Sequence, residues 1–315
     1  MKHTSNHQLN SNERQNFLAD SHILQKSLED LNLMDSFLLD AATEDPENAK
    51  KIAKVIIERA TGHVVENLVV EIEKQLKGLS IDKRGIRMDI YVREQEQTEN
   101  GYSTLCLYDI EPNKYQEKDL PRRSRFYQSL IDAKLIPTNT SFEKLPDVIT
   151  IWILPYDPFG CDRMVYTVKN MVTEENHIVY NDGVTKLFLY TKGTKGGSKD
   201  LKDLLTYMEH TTLESAVDKD LQEIQGIVNT IKERRETKER YMTLQEMINY
   251  EKRDSYKEGL VDGELKGEIK GSIHTCKSLN QDKSHTKTFL MDQYSISEDK
   301  AEEYLNLYWN LDTSK

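Results

Sequence analysis

"YSTLCLYDIEPNKY", residues 102–115, is the stretch on which the reading of this chain turns. Aromatic and apolar residues run to Ile110, as in a strand, and then Glu111, Pro112, Asn113 and Lys114 break the run. In an extended chain residues two apart share a face, so Asp109, Glu111 and Asn113 project the same way as the strand runs out. Carboxylates at the mouth of a buried strand cost free energy unless something pairs with them. Two readings follow: an acidic turn, or one side of a metal site.

Upstream, "GIRMDIYV" (85–92) alternates, with Ile86, Met88, Ile90 and Val92 on one side and Arg87, Asp89 and Tyr91 on the other. The polar "EQEQTENG" (94–101) reads as a loop, which predicts a hairpin and brings Asp89 near the acidic strand end. Two carboxylates on adjacent strands suit a hard divalent cation, Mg²⁺ or Mn²⁺, which takes oxygen ligands and keeps several waters. Such an ion activates water toward a phosphodiester and offsets the developing charge. A residue two after the acid would orient that water. Two basic clusters flank the segment: Lys83, Arg84 and Arg87, then Lys114, Lys118, Arg122, Arg123 and Arg125. Such side chains hold phosphates. The competing reading pairs Asp89 with Arg84 or Arg87 and leaves 109–114 as a turn; spacing alone keeps both open.

Composition narrows the classes. The 315 residues are 37% hydrophobic and 31% charged, enough for one sizeable core. No apolar run approaches the length of a membrane span, and the N-terminus lacks the apolar region of a signal peptide, so a cytoplasmic location without membrane partners is expected. Cys106, Cys161 and Cys276 are far apart, which argues against disulfides and structural zinc. No HExxH, GxSxG, Walker lysine loop or GxGxxG occurs. The net charge of −11 argues against a protein that is basic all over, though not against a basic rim on an acidic body.

Along the chain, residues 1–12 read as disordered, and 13–60 carry helical spacing (Phe17, Leu24, Leu28, Leu31, Met34, then Ile52, Val55 and Ile56). Residues 63–78 fit helix or strand. Pro121 suits the first turn of a helix bearing Phe126, Tyr127, Leu130 and Ile131. "DVITIWILPY" (147–156) reads as a strand covered on both faces. Short strands near 164–169 and 186–190 and a helix over 199–209 complete a mixed α/β order. From 211 the chain turns charged and helical, which predicts a domain at 13–210 and a helical tail at 211–315. Gly259, Gly263, Gly267 and Gly271 fall four apart within that tail. The charge between them excludes a membrane role and leaves a solvated connector or, alternatively, a helix that mediates self-association.

Several segments share order and spacing with a known family: "LMDSFLLDAATED" (33–45), "KRGIRMDIYV" (83–92), "YDIEPN" (108–113), "LPRRSRFYQSLIDA" (120–133), "LFLYTKGT" (187–194) and "ERYM" (239–242). Over about residues 13–271 the chain resembles the PD-(D/E)XK nuclease family transposases, the recombination-promoting nuclease group. The resemblance implies a restriction-endonuclease-like core, a mixed sheet flanked by helices, that cuts DNA with Mg²⁺. It implies that Asp89 is the first metal-binding acid, Glu111 the acid of the E-x-Q/K element, and Asn113 the occupant of the Gln or Lys position. It also implies a metal-ligand role for the Pro112 carbonyl and, for Asp20 in "LADSHILQK", the part of a first-helix acid. Asn113 is shorter than Gln and cannot act as a base. Pro112 cannot donate to a sheet ladder, so the strand ends or bulges there, and a bulge would turn Lys114 toward the acids. These departures make a DNA-binding or protein-interaction module on the same fold the alternative to an active nuclease.

Overall fold

The computed structural model describes residues 26–76, 86–98, 101–116, 118–135, 141–175 and 177–310. Asp20, Arg84, Lys83 and the segment 1–12 lie outside the described residues. The chain divides into two compact units, up to Leu244 and from Gln245 onward.

The first unit is α/β. Its elements are α1 (Ser36–Thr43), α2 (Pro46–Thr61), β1 (Leu68–Leu76), β2 (Ile86–Thr98), β3 (Gly101–Pro112), α3 (Leu120–Leu135), β4 (Asp147–Leu154), β5 (Val165–Val168), β6 (Val184–Tyr190), α4 (Lys199–Glu209) and α5 (Lys219–Glu233). The strands form one open mixed sheet in the order β1-β2-β3-β4-β6-β5. β1, β2 and β3 are antiparallel neighbours, β3, β4 and β6 run parallel, and β5 returns antiparallel along β6. The step from β3 to β4 is a parallel connection and needs a crossover helix; α3 supplies it.

Alternation in the central strands sends side chains to two cores. Tyr108, Ile110, Ile151, Ile153, Leu187 and Leu189 pack against α1, α2, α4 and α5. Leu107, Trp152, Leu154 and Phe188 pack against Tyr127, Leu130 and Ile131 of α3. Strand β4 is therefore apolar on both faces, as its sequence predicts. Helix α2 starts where the Asp45 side chain accepts the N–H groups of Glu47 and Asn48, with Pro46 in the first turn, and stops at Gly62, whose φ of 73° suits glycine.

Three expectations differ from this fold. Residues 94–98 are not loop: β2 continues to Thr98 and pairs with 101–104 across a register shift at Glu94/Gln95. From Glu96 on the polar side chains reflect an exposed ribbon, with Ser103 donating to Glu96 at 3.1 Å, while the buried Glu94 accepts the Tyr108 hydroxyl at 2.8 Å. Leu28, Leu31 and Met34 are core residues, but they sit in turns. There Asp30, Asn32 and Asp35 side chains accept backbone N–H groups locally, in competition with a helix. Residues 211–244, expected in the tail, pack with the first unit, since Ala216, Leu221, Ile224, Val228, Ile231 and Tyr241 belong to its core.

Helix α6 (Arg235–Ser278) begins in the first unit and ends in the second, where α7 (Lys283–Tyr294) and α8 (Glu298–Tyr308) follow. The second unit has its own core of Ile269, Ile273, Leu290, Ala301, Tyr304 and Leu305. The four spaced glycines of α6 face open space, where an added methyl would touch nothing. Among the described residues, no helix is long and apolar enough to cross a membrane.

Candidate active site

On β3 the stripe Leu107, Asp109, Glu111 faces α3. Leu107 joins the apolar core there, and the two acids continue its face toward the strand end. Because β3 is an inner strand with α3 over it, the acids are buried: Asp109 is 1% exposed and Glu111 3%. The β2–β3 register, with Ile90 opposite Ile110 and Tyr91 opposite Asp109, carries Asp89 to Glu111. The backbone N–H of Asp89 donates to Glu111 Oε1 at 3.2 Å.

Three acids so close are electrostatically costly. Burial, and after it the Asp89 charge, pushes the Asp109 carboxyl up to about 7. The same causes, with Asp109 added, hold Glu111 well above the ordinary glutamate range. Both Asp109 oxygens lack a hydrogen-bond partner among the described residues. So do Ser124 Oγ on α3 and Trp152 Nε1 on β4. Buried polar atoms without partners mark a place where a bound group would be stabilised.

One cation partly offsets this charge. Arg123 Nη2 lies 3.7 Å from Glu111 Oε2. Its Nε and Nη2 donate to the Tyr127 hydroxyl at 3.2 and 2.9 Å. The guanidinium sits 5.2 Å from the centroids of both the Tyr127 and the Trp152 ring. The β3–β4 register pairs Glu111 with Trp152, which explains why that indole floors the arginine. Burial, then the charge of Glu111, raises the Tyr127 hydroxyl above its usual value, so it stays protonated.

The end of β3 is regular. Pro112 pairs with Ile153 on β4, and the Asn113 N–H donates to the Ile153 carbonyl at 2.9 Å. The missing proline N–H would point toward β2, where the ladder has already ended at Ile90–Ile110. No bulge forms, so Lys114 is not turned toward the acids. Its Nζ meets Asp35 Oδ1 at 2.5 Å, with Lys26 at 3.4 Å from the other Asp35 oxygen. Burial lowers the Lys114 ammonium below the usual lysine range, with Asp35 acting against it. The Asn113 side-chain oxygen accepts the Tyr115 N–H at 2.9 Å, a local turn of the kind asparagine forms.

The structure thus brings together Asp89, Asp109, Glu111 and Arg123, and it directs Lys114 elsewhere. Arg87 lies 4.0 Å from Asp40, and Arg122 and Arg125 are exposed on α3. Two features escaped the sequence reading. Asp35 lies in "LMDSFLLDAATED", where the sequence assigns it no role, and is the buried partner of Lys114. The Arg123–Tyr127 pair has i,i+4 spacing on α3, a signal the sequence does hold. Among the described residues no three His, Cys, Asp or Glu side chains converge as a metal-holding group.

Fold and site together define an α/β protein with a mixed sheet and a buried, partly neutralised acid corner at its β2–β3 junction. No family model matches the chain, and no curated protein or solved structure does either.

Proposed function

We propose that the chain is a Mg²⁺- or Mn²⁺-dependent DNA endonuclease on a restriction-endonuclease-like core, related to the PD-(D/E)XK transposase-like, recombination-promoting nucleases and acting in the cytoplasm. The observation that carries this reading is the acid corner: Glu111 accepts the Asp89 N–H while Asp109 keeps two buried oxygens without a donor. A sheet of mixed direction with helices on both faces supports it.

The residues fit a hard cation. Magnesium is usually held by one or two carboxylates and keeps several waters, so three converging acids are not required. Asp89, Glu111 and the Pro112 carbonyl would hold it, and Asp109 would add negative charge to the corner. When bound, the ion supplies Lewis-acid activation for the hydrolysis of a phosphodiester. Arg87, Arg122 and Arg125 would bind DNA phosphates and give a locally basic rim to an acidic chain. The test is plasmid DNA with Mg²⁺ or Mn²⁺. Cleavage that EDTA abolishes and Glu111→Ala removes supports the reading; cleavage that survives Glu111→Ala overturns the site.

A second reading rests on Asn113. Its amide oxygen is engaged with the Tyr115 N–H, which leaves the E-x-Q/K position without a base. The fold would then serve as a DNA-binding module, with salt-dependent binding and no cleavage. Gain of cleavage in Asn113→Gln or Asn113→Lys would distinguish this from the first reading.

A further inference from the structure

Resting on the nuclease reading, we propose that Arg123 is a catalytic residue: its guanidinium meets the scissile phosphate and takes the part of the missing cation at position 113. The residue at that position is a neutral asparagine turned into a local hydrogen bond. The next residue, Lys114, is held by Asp35. Strand β3 therefore supplies no cation to the acid corner.

Helix α3 does. Arg123 stands beside Glu111, whereas Arg122 and Arg125 are exposed on other faces of the helix. The position of Arg123 is built rather than incidental. The Tyr127 hydroxyl takes two of its donors, and the Tyr127 and Trp152 rings lie with their centroids 5.2 Å from the guanidinium carbon, within cation–π range. Its side chain is still 29% exposed, so the guanidinium is reached from solvent. A planar guanidinium matches phosphate oxygens in a way an ammonium does not.

In the reaction a water oxygen forms a bond to phosphorus and the bond from phosphorus to the leaving sugar oxygen breaks. One water proton goes to solvent, and the leaving oxygen takes up another. Arg123 forms no bond; its charge offsets what gathers on the phosphoryl oxygens, a contribution of the kind preorganised donors make. Tyr127 acts as a positioning residue, holding the guanidinium in place.

The experiment compares wild type, Arg123→Ala, Arg123→Lys and Tyr127→Phe for cleavage kinetics, Mn²⁺ binding and thermal unfolding. Arg123→Ala should lower kcat about 10²–10³-fold with KM changed only a few-fold, the scale of losing one preorganised donor. Millimolar guanidinium should restore part of that loss, and Mn²⁺ binding should persist. Arg123→Lys should stay impaired, because an ammonium cannot reproduce the fork, and Tyr127→Phe should lower kcat by less than Arg123→Ala. Should Arg123→Ala fail to fold, Arg123→Lys decides: full kcat overturns the proposal and a large loss with normal Mn²⁺ binding supports it. Wild-type rates in Arg123→Ala overturn it, as does a loss that guanidinium does not rescue and that takes Mn²⁺ binding with it. Absence of cleavage by the wild-type chain overturns the nuclease reading itself, and is told apart because it needs no variant.

Discussion

Glu111 Oε1 accepts the backbone N–H of Asp89 at 3.2 Å, just beyond the end of the β2–β3 ladder, so the buried acid of one strand is tied to the acid-bearing residue of the other. That bond needs only an oxygen, not a charge. Glu111→Gln keeps the oxygen and removes a carboxyl whose ionisation is opposed by burial and by the neighbouring Asp89 and Asp109. The variant should unfold at the same temperature as wild type or higher at pH 8, without divalent ions, because uncompensated buried charge is destabilising. Added Mn²⁺ should reverse the ranking. A cation at 100-fold its Kd stabilises a binding-competent protein by about 2.7 kcal/mol, and Glu111→Gln should gain none of it. Calorimetry with and without Mn²⁺ reads both effects; equal Mn²⁺ stabilisation of the two chains would remove Glu111 from the site.

The pH dependence of the metal-free protein follows from Asp109. Its carboxyl is raised from 3.8 to about 7, by burial first and the Asp89 charge second. Between those values the native state holds a proton that the unfolded chain has released, so stability falls as pH rises through the window. Below about 4 both states are protonated and above about 7 both are ionised, so the contribution levels off at each end. Wild type should therefore melt higher at pH 6 than at pH 8, and Asp109→Asn should flatten that slope. Melting curves over pH 4–8 in EDTA test this; a rise in stability from pH 6 to pH 8 would contradict it.

What the sequence made legible was whatever depends on short-range alternation. The shared face of Asp109 and Glu111, the doubly buried strand 147–154 and the helix over 199–209 all lie in periods of 2 or 3.6 residues. The ribbon at 94–98 was missed because its residues are polar throughout, exposed on both sides at 96–98 and, at the buried Glu94, paired with the Tyr108 hydroxyl, so it carries no apolar signal. Lys114 was misjudged because its partner, Asp35, is far away in sequence. Residues 211–244 read as tail because α5 has only one buried stripe; a charge-rich segment hides six core side chains that only packing exposes.

The Lys114–Asp35 pair should be asymmetric. Removing the lysine leaves Asp35 with Lys26 and the Asn32 N–H, which donates to it at 2.9 Å. Removing the aspartate strips an acceptor from Asn32 and leaves a half-buried ammonium unmatched. Asp35→Ala should cost about 1–3 kcal/mol, the scale of an unsatisfied buried group, and Lys114→Ala no more than about 1 kcal/mol. Urea unfolding measures both. Because Lys114 does not reach the acid corner, Lys114→Ala should also cleave DNA within a few-fold of wild type. A loss as large as that of Glu111→Ala would return Lys114 to the chemistry.

The 211–244 segment offers the sharpest test of where the first unit ends. Leu221, Ile224, Val228, Ile231 and Tyr241 are buried in its core, and Arg59 of α2 holds the Asp218 cap of α5 at 2.8 Å. Burying one such side chain is worth roughly 1.5–3 kcal/mol, so five together rival the roughly 5–15 kcal/mol that keeps a domain folded. A chain ending at Leu244 should therefore unfold in one cooperative transition with near-native secondary structure. One ending at His210 should expose the apolar face of α2 and α4, bind hydrophobic dye and lose that transition. Circular dichroism melts of the two truncations decide it: a cooperative transition in the shorter chain would show that the charged segment is an appendage after all, resting on a core complete without it.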